Sequence, residues 1–463
     1  MQFLNEFQRS WPLISLGGSS VKPKENYSNR FRLIYGLASL AVGVTACGWG
    51  ITFALMGTWP LVALDVAVVC VALLSLALAR SNRFSAALLF SQAAFLVIIT
   101  MFCLVFDVPR AAAPRVSHLF LLVLALLGYI NYRREQSRPQ LAIVALCVIA
   151  FIVFASSTAA PSFARPIPEA IQIYGSWVNT IVAVGLLCVG VYVMQLELAR
   201  DLDKARAIKM ALRNREFELF YQPQVDESGR LTGAEALLRW RRGDGTHVPP
   251  AEFIPAAEQA GLMPAIGDWV LAQACETLAA WRHDPATSGL KLAINVSADH
   301  FTKPDFVDTV LDCLRTLELD PALLKLELTE SMMAGDIDAI SERMRALRAA
   351  GLFISLDDFG TGYSSLSHLR RLPVQEIKID RSFVQDIVES RRNRVLLKSI
   401  FDMAHVLEFA VVAEGVETLE QLGLLRSFGC TAFQGYYFGR PVPRSEFQSQ
   451  WAELPVPPAA RLA

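Results

Sequence analysis

The spacing of apolar and polar positions differs between the two halves of the chain. The first half consists of long runs with almost no charge, and about 20 apolar residues suffice for a helix to cross a membrane. These runs cover residues 33–56, 59–79, 84–106, 116–132, 139–164 and 170–196. The second half has short apolar runs, most of them separated by segments of helical periodicity. The pattern predicts a six-helix transmembrane bundle followed by alternating strands and helices.

The short apolar runs of the second half predict eight strands, because they are rich in β-branched, aromatic and Leu residues. Strands that alternate with helices favour a parallel sheet. Eight such units fit a closed α/β barrel of the (β/α)8, TIM-like type, whose active site lies at the C-terminal strand ends. The runs are FELFYQP, LTGAEALLRW, LKLAINVS, LKLELTE, LFISLDDF, EIKID, FAVVAEGVE and AFQGYYF.

Charged and amide side chains stand near the ends of most of these runs. They are Glu235, Asn295, Glu327, Glu330, Asp357, Asp358, Lys378, Asp380, Glu414 and Glu417. In a closed barrel they would gather at one rim. So many carboxylates repel one another unless a cation neutralises them, and a divalent metal site is the simplest solution.

The loop charges predict the orientation of the six apolar segments. Lys and Arg precede the first segment and follow the second, fourth and sixth, whereas the opposite loops carry only Arg110, Arg115 and Arg165. By the positive-inside rule, both termini and the second half are cytoplasmic. The fourth segment is short, with His118 near its start, and is the weakest of the six. We expect no cleavable signal peptide, because the first long apolar run starts only at Leu33.

Two features of the membrane half leave alternatives open. Asp65 stands near the outer end of the second segment, either as a sensing or ion-binding group or as an acid that reaches interfacial water. After the sixth segment, Leu198, Leu202, Ala205, Ile208 and Leu212 recur at helical spacing. This linker forms either an amphipathic helix lying on the barrel or a short parallel coiled coil in a dimer. Otherwise the spans lack the polar residues expected of a transporter core, which favours a sensory or anchoring module.

Composition narrows the chemistry. The formal net charge is −1, which gives no attraction to a DNA or RNA polymer. The eight cysteines form no CxxC pair and no cluster with histidine at zinc-ligand spacing. They are therefore interpreted as buried free thiols in a reducing cytosol.

Nine motifs in one order resemble the EAL family of cyclic di-GMP phosphodiesterases. The resemblance covers roughly residues 202–450. The motifs are FYQPQVD (220–226), GAEALLRW (233–240), FIPAAEQAGL (253–262), NVS (295–297), ELTES (327–331), DDFGTGYSSL (357–366), IKIDRSFV (377–384), AEGVET (413–418) and QGYYFGRP (434–441). The resemblance implies hydrolysis of cyclic di-GMP to linear pGpG at the bacterial inner (cytoplasmic) membrane.

The resemblance also implies a pair of metal ions, Mg²⁺ or Mn²⁺, which suit oxygen ligands. Two such ions assist water attack at a phosphodiester. The first ion would be held by Glu235, Asn295, Glu327 and Asp357. Asp358 would help to hold the second. Consecutive strand residues face opposite ways, so both aspartates can reach metals only where the chain bends, and the glycines of the following FGTG are expected to supply that bend.

Other positions acquire roles from the same resemblance. Lys378 would contact the attacking water, and Glu414 would act either as general base or in second-metal contact. Glu330 would hold the DDFGTGYSSL loop as a positioning residue. The substrate-contacting residues would be Gln222, Arg239 and Gln434. The alternative for Arg239 is a salt bridge to a rim carboxylate.

The chain departs from the family after NVS, where Asp299 and His300 stand in place of the frequent Arg-Gln pair. This change bears on substrate affinity and not on metal binding. The family also implies a homodimer through the loop and helix after DDFG. No second nucleotide module of the GGDEF type is present in the sequence.

The leading hypothesis is thus a membrane-anchored phosphodiesterase. The alternatives are a membrane-bound receptor that holds cyclic di-GMP without cleaving it, and a transporter or channel with a regulatory nucleotide domain. The predicted organisation is a cytoplasmic segment (1–32), a six-span sensor or anchor (33–196), a helical linker (197–215), the phosphodiesterase domain (216–450) and a tail (451–463).

Overall fold

The computed structural model divides into two compact units, with the boundary between Arg200 and Asp201. It describes residues 29–81, 83–110, 113–135, 137–158, 160–330, 332, 336–360, 369 and 371–451. Three of the expectations above lie wholly or partly outside these ranges. They concern most of the N-terminal segment, the TGYSSL part of the loop after DDFG, and the C-terminal tail.

Six helices occupy the described part of the first half, at the positions of the six apolar runs. They are α1 (Asn29–Leu55), α2 (Trp59–Arg80), α3 (Phe84–Val105), α4 (Leu119–Glu135), α5 (Arg138–Ser156) and α6 (Glu169–Arg213). Within the described ranges, four are long and apolar enough to cross a membrane: α2, α3, α5 and α6. A membrane-spanning region is thus supported, whereas the number of six spans stays a prediction.

Buried polar side chains connect helices inside the helical unit. Asn131 donates to Gln140, which donates in turn to Gln92, so one buried amide chain links α3, α4 and α5. Between α3 and α4, the guanidinium of Arg115 donates to the backbone oxygens of Asp107, Phe154 and Ser157. Amides can satisfy one another between packed helices, so these contacts join helices within the unit. The preference for a sensory or anchoring module over a transporter core stays a prediction.

Asp65 lies on α2 where α1 passes closely. A Cβ added to Gly50 would lie 3.4 Å from the Cβ of Asp65. The Oδ2 atom of Asp65 is buried and has no hydrogen-bond partner within the described residues. The structure places the residue between helices, and its two possible roles remain as stated above.

The second unit is built around a closed eight-stranded barrel, as predicted. Its strands are β1 (Phe217–Asp226), β2 (Leu231–Arg241), β4 (Lys291–Val296), β5 (Leu324–Thr329), β6 (Phe353–Phe359), β7 (Glu376–Ile379), β8 (Ala410–Ala413) and β9 (Ala432–Gln434). Around the barrel, in the order β2, β4, β5, β6, β7, β8 and β9, each strand is parallel to the next. Two short strands, β3 (His247–Val248) and β10 (Val442–Pro443), extend the sheet beside β2 and β1.

The first strand departs from the predicted all-parallel sheet. β1 runs antiparallel to both β2 and β9, and these two pairings close the barrel. The connection from β1 to β2 is a tight turn in which Asp226 accepts from the backbone of Ser228 and Arg230. A parallel neighbour would need a crossover of a dozen or more residues, which this turn cannot supply.

Helices cover the outside of the barrel. They are α7 (Pro250–Gln259), α8 (Met263–Trp281), α9 (Ala298–Phe301), α10 (Phe306–Thr316), α11 (Ile337–Ala349), α12 (Arg381–Gln385), α13 (Arg391–Val406), α14 (Leu419–Ser427) and α15 (Arg444–Trp451). At the end of α6, Ile208 and Ala211 are buried in the same core, whereas Leu198 and Leu202 are exposed. The C-terminal part of the linker thus packs on the barrel, as the first alternative expects.

The strands carry apolar residues on one face and charged residues on the other. In β5, Leu324, Leu326 and Leu328 are fully buried in the apolar core, while Lys325 and Glu327 point inward and meet side chains of other strands. This alternation follows from the two-residue period of a strand. It fills the barrel interior with buried charge.

Candidate active site

Most of the predicted rim residues converge at the C-terminal ends of the parallel strands. Glu235 comes from β2, Asn295 and Glu327 are directly opposite each other on β4 and β5, and Asp357 stands on β6. Lys378 comes from β7, and Glu414 follows the last residue of β8. The residues thus reach one mouth from six strands that are separated by long stretches of sequence.

The ammonium of Lys378 lies at the centre of this group. Its Nζ atom is 2.5 Å from Glu414 Oε1, 2.6 Å from Glu327 Oε2, 3.3 Å from Glu235 Oε2 and 3.4 Å from Asp357 Oδ1. Lys378 and Glu327 are fully buried. We call these five residues the upper layer of the barrel interior.

The upper layer holds more acid than its lysine can neutralise. Burial raises the pKa of Glu327 well above its ordinary value, although Lys378 opposes the shift. Burial likewise raises the pKa of Asp357, and that of Glu414 to about 8. Burial disfavours the ammonium of Lys378, but the four carboxylates outweigh this and raise its pKa well above its usual range. The group therefore favours an additional positive charge.

Glu235 differs from the other carboxylates because hydrogen-bond donors surround it. Asn295 Nδ2 donates to its Oε1 at 2.6 Å, and Gln434 Nε2 donates to its Oε2 at 2.6 Å. Burial alone would raise its pKa, but Lys378 and these two amides lower it below the ordinary value. Glu235 is thus held ionised in one orientation.

The predicted substrate-contacting residues lie beside Glu235. Gln222 and Gln434 are buried and bonded to each other, with 3.3 Å between Gln434 Nε2 and Gln222 Oε1. Arg239 is half-buried, with its guanidinium 5.7 Å from the ring centre of Phe220. Within the described ranges Arg239 forms no ion pair with a carboxylate, so nothing there supports the salt-bridge alternative.

The bend at the paired aspartates begins earlier than predicted. Asp358 itself has a φ of 55°, a left-handed conformation that is rare for a residue other than glycine. The pairing of β6 with β7 shifts register between Leu356 and Phe359, which is a bulge at the rim. Gly360 of FGTG also has a positive φ, of 97°, so this glycine contributes to the bend as predicted, and Asp358 adds to it. The bulge changes the direction of Asp358 relative to that of Asp357.

Glu330 contacts the start of the loop after DDFG. Its Oε2 accepts a hydrogen bond from the backbone nitrogen of Gly360 at 3.0 Å. It is buried and lies three residues beyond Glu327, where β5 ends. This contact joins the ends of β5 and β6 directly, before the undescribed part of the loop.

Three residues near the rim bond to groups outside the upper layer. Asp380 caps α12 by accepting from Ser382 N, and Glu417 pairs with Arg381 at 2.7 Å. His300 is buried against Gly267 and bonds Asp268 through Nε2 at 2.8 Å. Asp299, in contrast, is exposed. His300 thus lies in the contact between α8 and α9.

The donor set suits a hard divalent cation. The carboxylate and amide oxygens of the upper layer and Asn295 are the ligands that Mg²⁺ and Mn²⁺ prefer. Glu327 Oε1 is buried and lacks a hydrogen-bond partner among the described residues. In those residues no three His, Cys, Asp or Glu side chains form a ready metal cage, and the Lys378 ammonium lies among the acids. The chemistry fits metal binding, with Lys378 as the competing cation.

A second charged group lies one step deeper in the barrel and was missed from the sequence. Lys325 stands two residues before Glu327, Glu376 two residues before Lys378, and Gln224 two residues after Gln222. A spacing of two places both members of each pair on the same inward face of their strand. Lys325 Nζ is 2.7 Å from Glu376 Oε1 and 3.3 Å from Gln224 Oε1. We call these three residues the lower layer. Charged residues at alternate positions of predicted buried strands were the signal for them.

Comparison with known proteins adds independent findings. A family profile described as the EAL domain matches residues 205–441, just over half of the chain. The oxygen sensor protein DosP of Escherichia coli is 44% identical over 256 residues, covering 54% of this chain and 31% of that protein. The bifunctional diguanylate cyclase/cyclic di-GMP phosphodiesterase MucR of Pseudomonas aeruginosa is 40% identical over 253 residues, covering 54% and 36%.

A solved structure described as "PaMucR Phosphodiesterase, c-di-GMP complex" is 39% identical, with a TM-score of 0.51, and covers 53% of this chain and 99% of that chain. The chain spans about a third of the length of the curated relatives it matches.

Proposed function

Because the chain belongs to the EAL domain family, we propose that it is a membrane-anchored phosphodiesterase that hydrolyses cyclic di-GMP to linear pGpG. The observation that carries the proposal is the upper layer, where three buried carboxylates and the partly buried Glu414 surround one lysine. A purely structural core would not retain four carboxylates around a single positive charge, because burying unpaired charge is costly. A phosphodiester substrate and divalent cations together supply the chemistry that such a site accommodates.

We assign Glu235, Asn295, Glu327 and Asp357 as ligands of a first divalent ion, Mg²⁺ or Mn²⁺, with Asp358 as a ligand of a second. Bound there, the ions would polarise the phosphoryl oxygen and stabilise the departing 3′ oxygen. The reaction forms one P–O bond to water and breaks the bond to the 3′ oxygen, which takes up a proton.

Two side chains of the protein, Lys378 and Glu414, act on the attacking water in this reaction. Lys378 Nζ lies within 3.4 Å of an oxygen of each of the four carboxylates, and we assign it to orient the attacking water. Glu414 lies beside it at 2.5 Å, and its raised pKa of about 8 makes it a proton acceptor of useful strength near neutral pH. The alternative role of Glu414, a contact to the second ion, is compatible with the same position.

The substrate is proposed to lie over Gln222, Arg239 and Gln434. The Arg239 guanidinium can donate two parallel bonds to a phosphate oxygen pair. The guanidinium lies over the ring of Phe220, and burial lowers its pKa while nearby Glu235 opposes that shift. Gln222 and Gln434 would contact the substrate from the side of the barrel that β1 and β9 close.

We further propose that residues 33–196 form a six-span anchor or sensor in the bacterial inner membrane, that 197–215 are a linker, and that 216–450 face the cytoplasm. Four apolar helices and the bias of loop charges support this orientation. The family suggests a homodimer through the region after DDFG. Sedimentation of the detergent-solubilised protein at several concentrations tests that assembly, and a monomer at all of them would contradict it.

The test of the function uses the full chain purified in detergent and stripped of metals with EDTA. We expect conversion of cyclic di-GMP to pGpG after addition of Mg²⁺ or Mn²⁺, and no conversion with Ca²⁺, whose coordination is larger and looser. The matched control is Glu235→Gln, which should remain folded and inactive. Folded wild-type protein that binds cyclic di-GMP without cleaving it would instead identify a receptor. Nucleotide-dependent flux through vesicles would identify a transporter or channel.

A further inference from the structure

The lower layer connects to Glu235 through a directed chain of hydrogen bonds. Lys325 Nζ donates to Gln224 Oε1 at 3.3 Å, and Gln224 Nε2 donates to Gln434 Oε1 at 2.9 Å. Gln434 Nε2 then donates to Glu235 Oε2 at 2.6 Å. Four residues from β5, β1, β9 and β2 thus form one line from a buried ammonium to a buried carboxylate.

The direction of this line is fixed at its start. An amide side chain has one accepting end and one donating end, whereas a lysine ammonium only donates. Lys325 therefore holds the oxygen of Gln224 toward itself and turns the amide nitrogen of Gln224 toward Gln434. The oxygen of Gln434 is thereby occupied, so its nitrogen faces Glu235. Each amide has only one orientation that satisfies both neighbours.

Lys325 is itself held in place. Glu376 neutralises it at 2.7 Å, and both side chains are buried, with 5% and 8% of their surface exposed. The ring centre of Phe353 lies 5.3 Å from Nζ. A buried ammonium with one carboxylate, one amide oxygen and one aromatic ring around it has little freedom to reorient.

We infer that Lys325, Glu376 and Gln224 are positioning residues for the proposed active site. Through Gln434 they present a donor to Glu235 Oε2, while Asn295 presents a donor to Oε1, so the carboxylate is fixed toward the upper layer. Outer partners that orient a metal-binding carboxylate affect metal affinity strongly. This inference rests on the proposed function, because it assigns the lower layer a role in holding one of its metal ligands.

Gln224→Glu tests the direction of the line with almost no change in shape. The introduced carboxylate still accepts from Lys325 but no longer donates to Gln434. Gln434 must then turn its nitrogen toward the introduced carboxylate and its oxygen toward Glu235, which places two acceptors face to face. We expect the Mg²⁺ dissociation constant, measured by calorimetry on the full-length protein in detergent, to rise about tenfold or more, and kcat to fall by a similar factor. Gln448→Glu, a partly exposed glutamine on α15, is the control for added charge.

A double variant separates positioning from packing. Lys325→Met with Glu376→Met removes both charges together, and such a replacement of a buried ion pair is often neutral or stabilising. We expect the double variant to unfold at a temperature near that of the wild type while its Mg²⁺ affinity stays reduced about tenfold. Wild-type Mg²⁺ affinity in both this variant and Gln224→Glu would overturn the inference and leave the lower layer as packing.

The outcomes for the two proposals are distinguishable. Wild-type protein that binds Mg²⁺ but does not hydrolyse cyclic di-GMP contradicts the proposed function, while the metal affinities of the variants still decide the positioning role. Wild-type turnover with unchanged variants contradicts only the positioning role. Wild-type protein that binds neither Mg²⁺ nor Mn²⁺ overturns both.

Discussion

The upper and lower layers of the barrel interior each contain a buried lysine but differ in charge balance. In the lower layer Lys325 meets one carboxylate and one amide, so its charge is matched. In the upper layer Lys378 meets four carboxylates, and the pKa values of Glu327, Asp357 and Glu414 are raised. The layers share two strands: Lys325 and Glu327 stand two residues apart on β5, and Glu376 and Lys378 stand two residues apart on β7. Balanced charge stabilises and orients, whereas unbalanced charge marks the place where a further cation binds.

The difference has an energetic consequence. Buried carboxylates without enough partners oppose folding, and functional sites commonly retain such groups at the expense of stability. A substitution that removes one acid from the upper layer should therefore improve the metal-free fold and damage the reaction. The same change in the lower layer should damage the fold, because it leaves a buried ammonium without its carboxylate.

The largest effect is expected from Glu327→Gln in the upper layer. Turnover should fall by about 100-fold or more, because a proposed metal ligand is lost. The unfolding temperature in EDTA should rise, because a fully buried carboxylate with an unpartnered Oε1 becomes neutral. Initial rates and thermal unfolding of the purified protein check both signs. Glu389→Gln, at an exposed position before α13, serves as the control. A destabilised variant would contradict the proposed imbalance.

Glu376→Gln makes the corresponding change in the lower layer. We expect a loss of about 3 kcal/mol in unfolding free energy, the lower end for breaking one side of a buried ion pair. Denaturant titration followed by tryptophan fluorescence measures it. Restoration of stability by adding Lys325→Met would identify the unpaired ammonium as the cause. If Glu376→Gln is as stable as the wild type, the charge of Lys325 does not depend on Glu376, and the proposed difference in charge balance between the two layers is contradicted.

Glu330→Ala tests whether the upper layer needs support from the loop that follows β6. The hydrogen bond to Gly360 N would be lost, so we expect turnover to fall about tenfold or more through misplacement of the two aspartates, with little change in unfolding temperature. Glu330→Gln retains an oxygen acceptor and should keep more activity than Glu330→Ala. Full turnover by the alanine variant would reject the role.

The smallest effect is expected at His300, a balanced buried group outside both layers. Burial lowers its pKa, and the hydrogen bond with Asp268 opposes that shift. Because the pKa of His300 is lowered in the folded state, its contribution to folding stability is fully present at pH values above the unfolded-state pKa of 6.5. That contribution is lost as the pH falls through the folded-state pKa. His300→Gln should reduce the loss of unfolding temperature between pH 7 and 5, by about 2 °C. Turnover at pH 7 should be unchanged, since His300 faces Asp268 and not the upper layer.

Several elements followed from local sequence alone. Each of the six apolar runs coincides with a helix, because a long uncharged run specifies a helix without reference to distant residues. Most ends agree within a few residues, but α5 ends at Ser156, before residue 164, and α6 continues to Arg213, beyond residue 196. The eight strands of the barrel also overlap with the eight predicted runs. The acids at their ends were identifiable because β-strands place successive side chains on alternate faces and the barrel gathers its strand ends.

Other features depended on which strands and helices become neighbours. Because of the short turn before Leu231, β1 runs antiparallel to its neighbours. Its pairing with β9 brings Gln224 opposite Gln434, although most of the barrel sequence separates the two residues. In the helical unit, the amides of Gln92, Asn131 and Gln140 appeared in the sequence only as isolated polar residues. Their partners lie on other helices, so no local pattern predicts the contacts.

The sequence by itself determined the helical first half, the strand periodicity of the second half and the supply of acidic side chains at strand ends. Only the tertiary structure decided that Lys378 lies among four carboxylates, that Lys325 and Glu376 match each other beneath them, and that Asp358 turns in a left-handed bulge. Periodicity depends on near neighbours along the chain. Charge balance inside a barrel depends on its register and closure, which join residues far apart in sequence.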